Sequence, residues 1–348
     1  MSIRFAVIGC GGITRFHFPG LTQAGAQITW VADLDEDLAR ARAEEYGARH
    51  TTDYQEILAS GEVDAVLVAT SGPTHKPICL AAIEAGLHVI CEKTLADNSD
   101  DALEITRAAQ AKGIILYTSY MKRFIPAVQR AQALMPRLGK IFSTYIRSYQ
   151  PWGSIWDPPP TSRPGNEESG FRQRYGGGIL HMGGSHMLDL VGFFLGRPKR
   201  VYGKLHTPEW LDYEVLASAL LETDNGVVHF EAAGHPLRRI GFLRDGWDEG
   251  FEINGTQGRL EFYSSTWDNV DSKACLLRHY DNESGDMTEY RYEPTSPFAR
   301  ADAFFVANME QGVQGEQPIT TGYDVDELIA HLHRSAETGE ALEVDWRI

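Results

Sequence analysis

The chain has 348 residues, room for two cores at the usual scale of roughly 150 residues per domain. Hydrophobic residues make up 43% and charged residues 23%, ordinary globular usage that excludes wholesale disorder. The formal charge is -16, and the arginines at Arg163, Arg172 and Arg174, like those at Arg238, Arg239 and Arg244, are diluted by Glu, Asp or Gly. No nucleic acid and no membrane is therefore expected as a partner.

The opening MSIRFAVIG runs straight into a strand, with no charged leader, long apolar stretch or small-residue cleavage site, which predicts a cytoplasmic protein. Cys10, Cys79, Cys91 and Cys275 lack CxxC spacing and read as reduced, structural thiols. From Ile3 onward, short β-branched runs alternate with helical stretches. IRFAVIG is followed by a helix over 14–24, ITWVADL by a helix over 35–46, and VDAVLVAT by a helix over 76–85; HVICEK, a helix over 99–112 and IILYTSY complete the series near residue 122. Such a series predicts a doubly wound parallel sheet whose strand C-termini share one ligand-binding edge.

Past Arg123 the texture changes. One helix and the strand KIFSTYIRSY lead into an irregular Pro/Gly/Trp-rich stretch over 150–178, long enough to mark a functional loop. A helix over 179–195 precedes alternating runs, RVYGKLH, VLASALLE, VVHFEAAG, FEINGT and RLEFYSS, and helices over 301–311 and 325–336 close the chain. The expected fold class is α/β: an N-terminal Rossmann doubly wound parallel sheet (1–122) plus a C-terminal α+β domain with a large open, mostly antiparallel sheet (123–348). An open sheet exposes a broad apolar face, so a homodimer or homotetramer is expected.

GCGGIT follows a strand and opens a helix, the context in which a glycine motif binds a dinucleotide. Gly9 permits the tight turn, Gly11 lets a pyrophosphate approach the backbone, and Gly12 and Ile13 lead into a helix whose amides and dipole favour an anion. Thr14 stands where Gly or Ala is usual, which is expected to loosen helix packing slightly. Asp33 ends the second strand 24 residues after Gly9, placed to bridge ribose hydroxyls; no Arg follows it to receive a 2′-phosphate. NAD is the expected cofactor. Asp33 could instead cap the next helix, but Asp35 fills that role better.

CEKTLA puts Lys93 at a strand terminus on the ligand edge, with Glu92 beside it. Oxidising a carbinol requires an acceptor for the hydroxyl proton, and desolvation near a cationic ring would bring a lysine towards the working range. With TSGPTH at 70–75, AGLHVICEKTLA at 85–96, SYMKRF at 119–124 and GGGILHMGGSHMLDL at 176–190, the chain resembles the glucose-fructose oxidoreductase, inositol dehydrogenase and rhizopine-catabolism (Gfo/Idh/MocA) family.

The resemblance implies reversible oxidation of sugars or polyols. It makes Lys93 catalytic and substrate-contacting, and His186 the proton acceptor or donor. It assigns Thr70, Pro73 and His75 to a loop beneath the cofactor, Glu92 to the cofactor, and Arg123 to the nicotinamide; Tyr120, His181 and Met182 fall around the substrate. Two positions depart from the pattern: Thr94 replaces the usual proline, and Met182 replaces an Asp found in many polyol-oxidising members, so His181 or Tyr175 must take over its work. Asp189, three residues after His186, either holds it or serves structure.

Trp152, Trp156, Arg163, Arg172 and Tyr175 on or beside the long loop suit a pyranose ring, although each tryptophan fits core packing equally well. No metal is expected, because His181 and His186 are five apart and do not share a helix face. The leading reading is an NAD-dependent oxidoreductase moving a hydride between a sugar or cyclic polyol ring carbinol and the nicotinamide. The alternatives are a redox-neutral NAD-dependent glycoside hydrolase working by oxidation and elimination, and a non-enzymatic sugar- or nucleotide-sensing regulator.

Overall fold

A computed structural model describes residues 2–157, 177–266 and 273–348. Its contacts define two compact units, Met1–Met121 with Pro297–Asp326 and Ile348, and Lys122–Ser296 with Glu327–Arg347. The first unit thus takes in a segment from the far end of the chain that a single division after residue 122 leaves out.

In the first unit the strands are β1 (Arg4–Ile8), β2 (Gln27–Ala32), β3 (Arg49–Thr51), β4 (Ala65–Val68), β5 (His88–Cys91) and β6 (Leu116–Thr118). They form a wholly parallel sheet in the order β3-β2-β1-β4-β5-β6. β1, β4 and β5 are almost entirely buried, which is why they read as continuous apolar runs rather than alternating ones. The helices are α1 (Thr14–Gln23), α2 (Glu36–Tyr46), α3 (Tyr54–Ala59), α4 (Gly72–Glu84) and α5 (Ser99–Lys112). Asp35 caps α2 as expected, accepting from the Asp37 and Leu38 amides at 3.0 and 3.1 Å.

Two differences from the sequence reading have local causes. β3 and α3 are too short to show a period. α4 starts at Gly72 rather than Lys76 because Pro73 sits in its first turn, where a missing amide costs nothing. The late helix α8 (Pro297–Gln311) packs on α1, with Phe298 stacked on Phe16 at 4.9 Å between ring centres.

The second unit is built on a nine-stranded sheet. Its strands are β7 (Ile141–Pro151), β8 (Arg200–His206), β9 (Leu216–Thr223), β10 (Gly226–His235), β11 (Asp248–Gly255), β12 (Gly258–Tyr263), β13 (Leu276–Asp281), β14 (Met287–Arg291) and β15 (Leu342–Glu343). The order is β14-β13-β12-β11-β7-β10-β9-β8-β15; β7 and β10 run parallel and every other pair is antiparallel.

Helix α6 (Pro126–Leu134) precedes this sheet, and α7 (Ser185–Leu195) packs on one face, Phe194 meeting Phe251 edge-on at 4.8 Å. The opposite face leaves Tyr145 48% and Leu220 42% exposed. A shallow groove of about 550 Å³ crosses it, lined by Tyr145, Arg147, Tyr202, Lys204, Glu231 and Glu252 among others. Helix α9 (Thr321–Thr338) ends the helical order. Among the described residues no helix is long and apolar enough to cross a membrane.

Candidate active site

The parallel order reverses between β1 and β4, and a cleft of about 430 Å³ opens there, beyond their carboxyl ends. Gly9 turns the chain out of β1 at φ +92°, and a Cβ there would lie 2.6 Å from the Ala69 carbonyl oxygen at the end of β4. Glycine is therefore required on two counts, backbone angle and space. At Gly11 and Gly12 an added Cβ would meet nothing within 4 Å, so the turn keeps open room over the first turn of α1. That turn carries no acidic side chain and no side-chain cap; the Thr14 and Phe16 amides bond to the Gly11 and Ile13 carbonyls at 3.1 Å, and the positive end of the helix dipole faces the open room. Thr14 is fully buried and its Oγ1 donates to the Gly11 carbonyl at 2.7 Å, so the departure from Gly is absorbed by closing the turn rather than by loosening it. Ile13 is half-buried at the helix start.

Asp33 lines the same cleft. Its Oδ2 accepts from the Cys10 amide at 2.7 Å and its Oδ1 from the Asp35 amide at 2.9 Å, which fixes the carboxylate at the rim. Among the described residues the cleft lining includes Thr70, Ser71, Thr74 and the exposed Leu34, and no Lys or Arg. A turn with room for a pyrophosphate, a helix start and an oriented carboxylate together fit a dinucleotide.

Pro73 is exposed on the first turn of α4, whereas His75 is buried. Burial holds the His75 pKa below the usual range, and the neutral ring donates from Nδ1 to the Thr94 carbonyl at 2.8 Å. The segment after Lys93 is thereby tied to α4, with Thr94 itself buried. His75 acts as a brace under the cleft rather than as part of its lining.

Glu92 is also turned inward: Nε2 of His17 lies 2.9 Å from Glu92 Oε1, and Nδ1 of His17 lies 3.0 Å from Asp302 Oδ1. Burial alone would depress the His17 pKa, but Asp302 and Glu92 outweigh it and raise it to about 10. Burial would raise Glu92, yet the His17 bond holds its pKa below the usual value. A buried carboxylate has to be paired, and the imidazolium does this for two of them. His17 and Asp302 were missed by the sequence reading, since they lie 285 positions apart with no local pattern to join them. Lys93 follows this anchored Glu92, half-buried at the end of β5 on the same sheet edge as the cleft. Tyr120, expected at the substrate, is fully enclosed just past β6, where the chain still runs through the core.

In the second unit, Leu180–Gly184 forms a π-helical turn in which the Gly184 amide donates to the Ile179 carbonyl at 2.9 Å, with a kink at Met182 before α7 begins. His181 is buried, and Met182 and His186 are half-buried. Arg123 is spent on Asp189: Nε and Nη2 donate to both carboxylate oxygens at 2.7–2.9 Å, with the guanidinium 5.1 Å from the Phe193 ring centre. The pair clamps α7 to the chain before α6, which gives Asp189 a structural partner in Arg123.

Trp152 lies against Gly234, where a Cβ would meet its ring at 2.6 Å, and Trp156 Nε1 donates to the Gly234 carbonyl at 2.7 Å. Both tryptophans pack on the end of β10. Arg163, Arg172 and Tyr175 lie outside the described residues. Of the second-unit candidates, His181 meets partners the sequence did not point to, Glu214 and His333.

Residues 3–120 match the family model described as oxidoreductase family, NAD-binding Rossmann fold (GFO_IDH_MocA), and residues 128–261 match the GFO/IDH/MocA C-terminal domain. D-xylose 1-dehydrogenase (NADP(+)) 2 of Haloferax volcanii is 26% identical over 344 residues, 98% of this chain and 99% of that protein. Inositol 2-dehydrogenase/D-chiro-inositol 3-dehydrogenase of Shouchella clausii is 41% identical over 145 residues, 40% of this chain and 42% of that one. Among solved structures, levoglucosan dehydrogenase in complex with NADH and levoglucosan shares the fold, with a TM-score of 0.85 at 20% identity over 99% of this chain and 100% of that chain.

Proposed function

Because this chain belongs to the Gfo/Idh/MocA family of oxidoreductases, we propose that it is an NAD-dependent dehydrogenase of a ring carbinol in a sugar or cyclic polyol, working in the cytoplasm. The observation that carries this reading is the shared edge of the parallel sheet: the phosphate turn after β1, the Asp33 rim after β2 and Lys93 after β5 all emerge there. NAD, when bound, supplies the hydride-accepting ring. The residues that would hold it are Gly9, Gly11, Gly12, Ile13, Asp33 and Thr70.

The chain's own contribution is proton handling and orientation. Lys93 and His186 are the two groups that handle the hydroxyl proton, either of them serving as the formal base. His181, Met182 and Trp152, with Arg163, Arg172 and Tyr175, belong to the sugar side of this proposal.

Asp33 decides the cofactor. A 2′-phosphate would face a fixed carboxylate in a cleft whose lining, among the described residues, carries no Lys or Arg, so NAD is preferred to NADP. Asp33→Asn should lower kcat/KM for NAD by about tenfold or more, since a hydrogen bond to a charged group is worth ~1.5–3 kcal/mol, and should raise the NADP/NAD ratio. Steady-state kinetics with both cofactors checks this; an unchanged ratio contradicts it.

The function is tested by following NADH absorbance with purified protein and a panel of inositols, monosaccharides, sugar acids and glycosides. Reduced cofactor with one class of carbinol supports the proposal, and silence across the panel with intact NAD binding rejects it.

We also propose that the open sheet face is covered by a second copy. Tyr145 and Leu220 supply apolar surface, and Arg147 and Lys204 lie among Glu231 and Glu252, a mixture that a two-fold axis can pair with itself. Light scattering should find a dimer or tetramer for the native chain and a smaller species for Tyr145→Arg combined with Leu220→Arg. A monomeric native chain contradicts it.

A further inference from the structure

Glu214 and His333, which belong to none of the sites described above, converge in the second unit with His181, which the proposed function also places on the sugar side. His181 stands on the π-helical turn, Glu214 just before β9 and His333 on α9. One ligand atom from each lies within 4.8 Å of the others. Glu214 Oε2 is 3.9 Å from His333 Nε2, and the His181 and His333 rings are 6.3 Å apart between centres.

Two glycines shape this pocket. A Cβ on Gly177 would lie 2.1 Å from His181 Nδ1, and one on Gly178 would lie 2.1 Å from the Glu214 carbonyl oxygen. The GGG run thus lets the segment carrying Glu214 approach the turn carrying His181. The Ile179 amide donates to the Glu214 carbonyl at 2.9 Å, and the Leu180 amide donates to Glu214 Oε1 at 3.0 Å. One carboxylate oxygen is therefore held by the backbone while the other faces His333, the outer-shell orientation seen around ligating carboxylates.

We infer that His181, Glu214 and His333 bind one divalent transition-metal ion of the zinc class. Two imidazoles and a carboxylate are a borderline donor set suited to such an ion, and three protein ligands leave one position for water. Bonds of about 2.0–2.2 Å to a tetrahedral ion put ligand atoms about 3.4 Å apart, so the cluster needs only a small contraction. His333, with its side chain 35% exposed on a helix surface, can supply that movement and leaves a path for entry. Glu214 and His181 are buried, which removes competing water from the other two ligands.

The test uses the full-length protein, dialysed against chelator and titrated with Co²⁺ while its visible d–d bands are recorded, then with Zn²⁺ in competition. One Co²⁺ per chain with bands of a four-coordinate site, displaced by Zn²⁺, is the expected result. His333→Ala, at a partly exposed position, should fold normally by circular dichroism and bind Co²⁺ at least about 100-fold more weakly, since even outer-shell changes cost 10–100-fold. Glu214→Gln should do the same, and His50→Ala, at an exposed histidine outside the cluster, should bind as the native chain does. Absence of stoichiometric Co²⁺ binding, or equal affinity in His333→Ala, overturns the inference. The readout is metal binding and not turnover, so it stands or falls separately from the dehydrogenase reading.

Discussion

Lys93→Met should lower kcat by about 10²–10⁴-fold, the range for removing a general acid or base, while NAD affinity stays within about threefold. The loss is expected in chemistry rather than in folding because the main chain on both sides is held independently of this side chain. The Lys93 amide lies 3.2 Å from Glu92 Oε2, and the Thr94 carbonyl accepts from His75. Circular dichroism and cofactor titration check the fold and the binding, and steady-state kinetics reads the chemistry. A variant that keeps kcat within about threefold would remove Lys93 from the reaction.

His17→Gln should destabilise the protein by about 3–5 kcal/mol, because it leaves the buried carboxylates of Glu92 and Asp302 without their shared cation. The pH dependence has a definite sign. The folded pKa of His17 is raised from 6.5 to about 10, so its contribution is complete below pH 6.5 and is lost as pH rises towards 10. Glu92 is shifted downward, so its contribution is present above its ordinary value near 4.5 and is lost on acidification. Burial raises Asp302, so its ionised form opposes folding once pH passes its ordinary 3.8, offsetting part of the gain from Glu92. Denaturant melts of the native chain should therefore weaken from pH 6.5 upward, and this alkaline limb should be missing in His17→Gln. Because Glu92 adjoins Lys93, the variant should also lose activity below its melting point. Equal stability of the two proteins at pH 6.5 would contradict the account.

Legibility in the sequence followed the range of the interactions. The phosphate turn was readable because a strand, a glycine that must take positive φ and a helix start occupy one short stretch. Asp35 was readable as a cap for the same reason. The continuous runs of β1, β4 and β5 announced strands buried on both faces, and the alternation of β9 and β10 announced a sheet with one open face.

Pairings across long separations were not readable. Nothing near His17 points to Asp302, nothing in GGGILH points to Glu214 or His333, and Arg123 could not be matched to Asp189 before α7 was folded over β7. β13 and β14 also went unread: LLRHYD and MTEYR carry too many polar residues to announce themselves, and they are strands because β12 offers an edge to pair with.

The most direct test of the central claim is the fate of the carbinol hydrogen. The panel member that is turned over should be prepared with deuterium at the reacting ring carbon and incubated with the enzyme and NAD⁺. The account predicts that the deuterium is recovered in the NADH formed, in stoichiometry with oxidised product, and that Lys93→Met abolishes the transfer. Deuterium released to water, or returned to product without accumulation of reduced cofactor, would contradict a dehydrogenase.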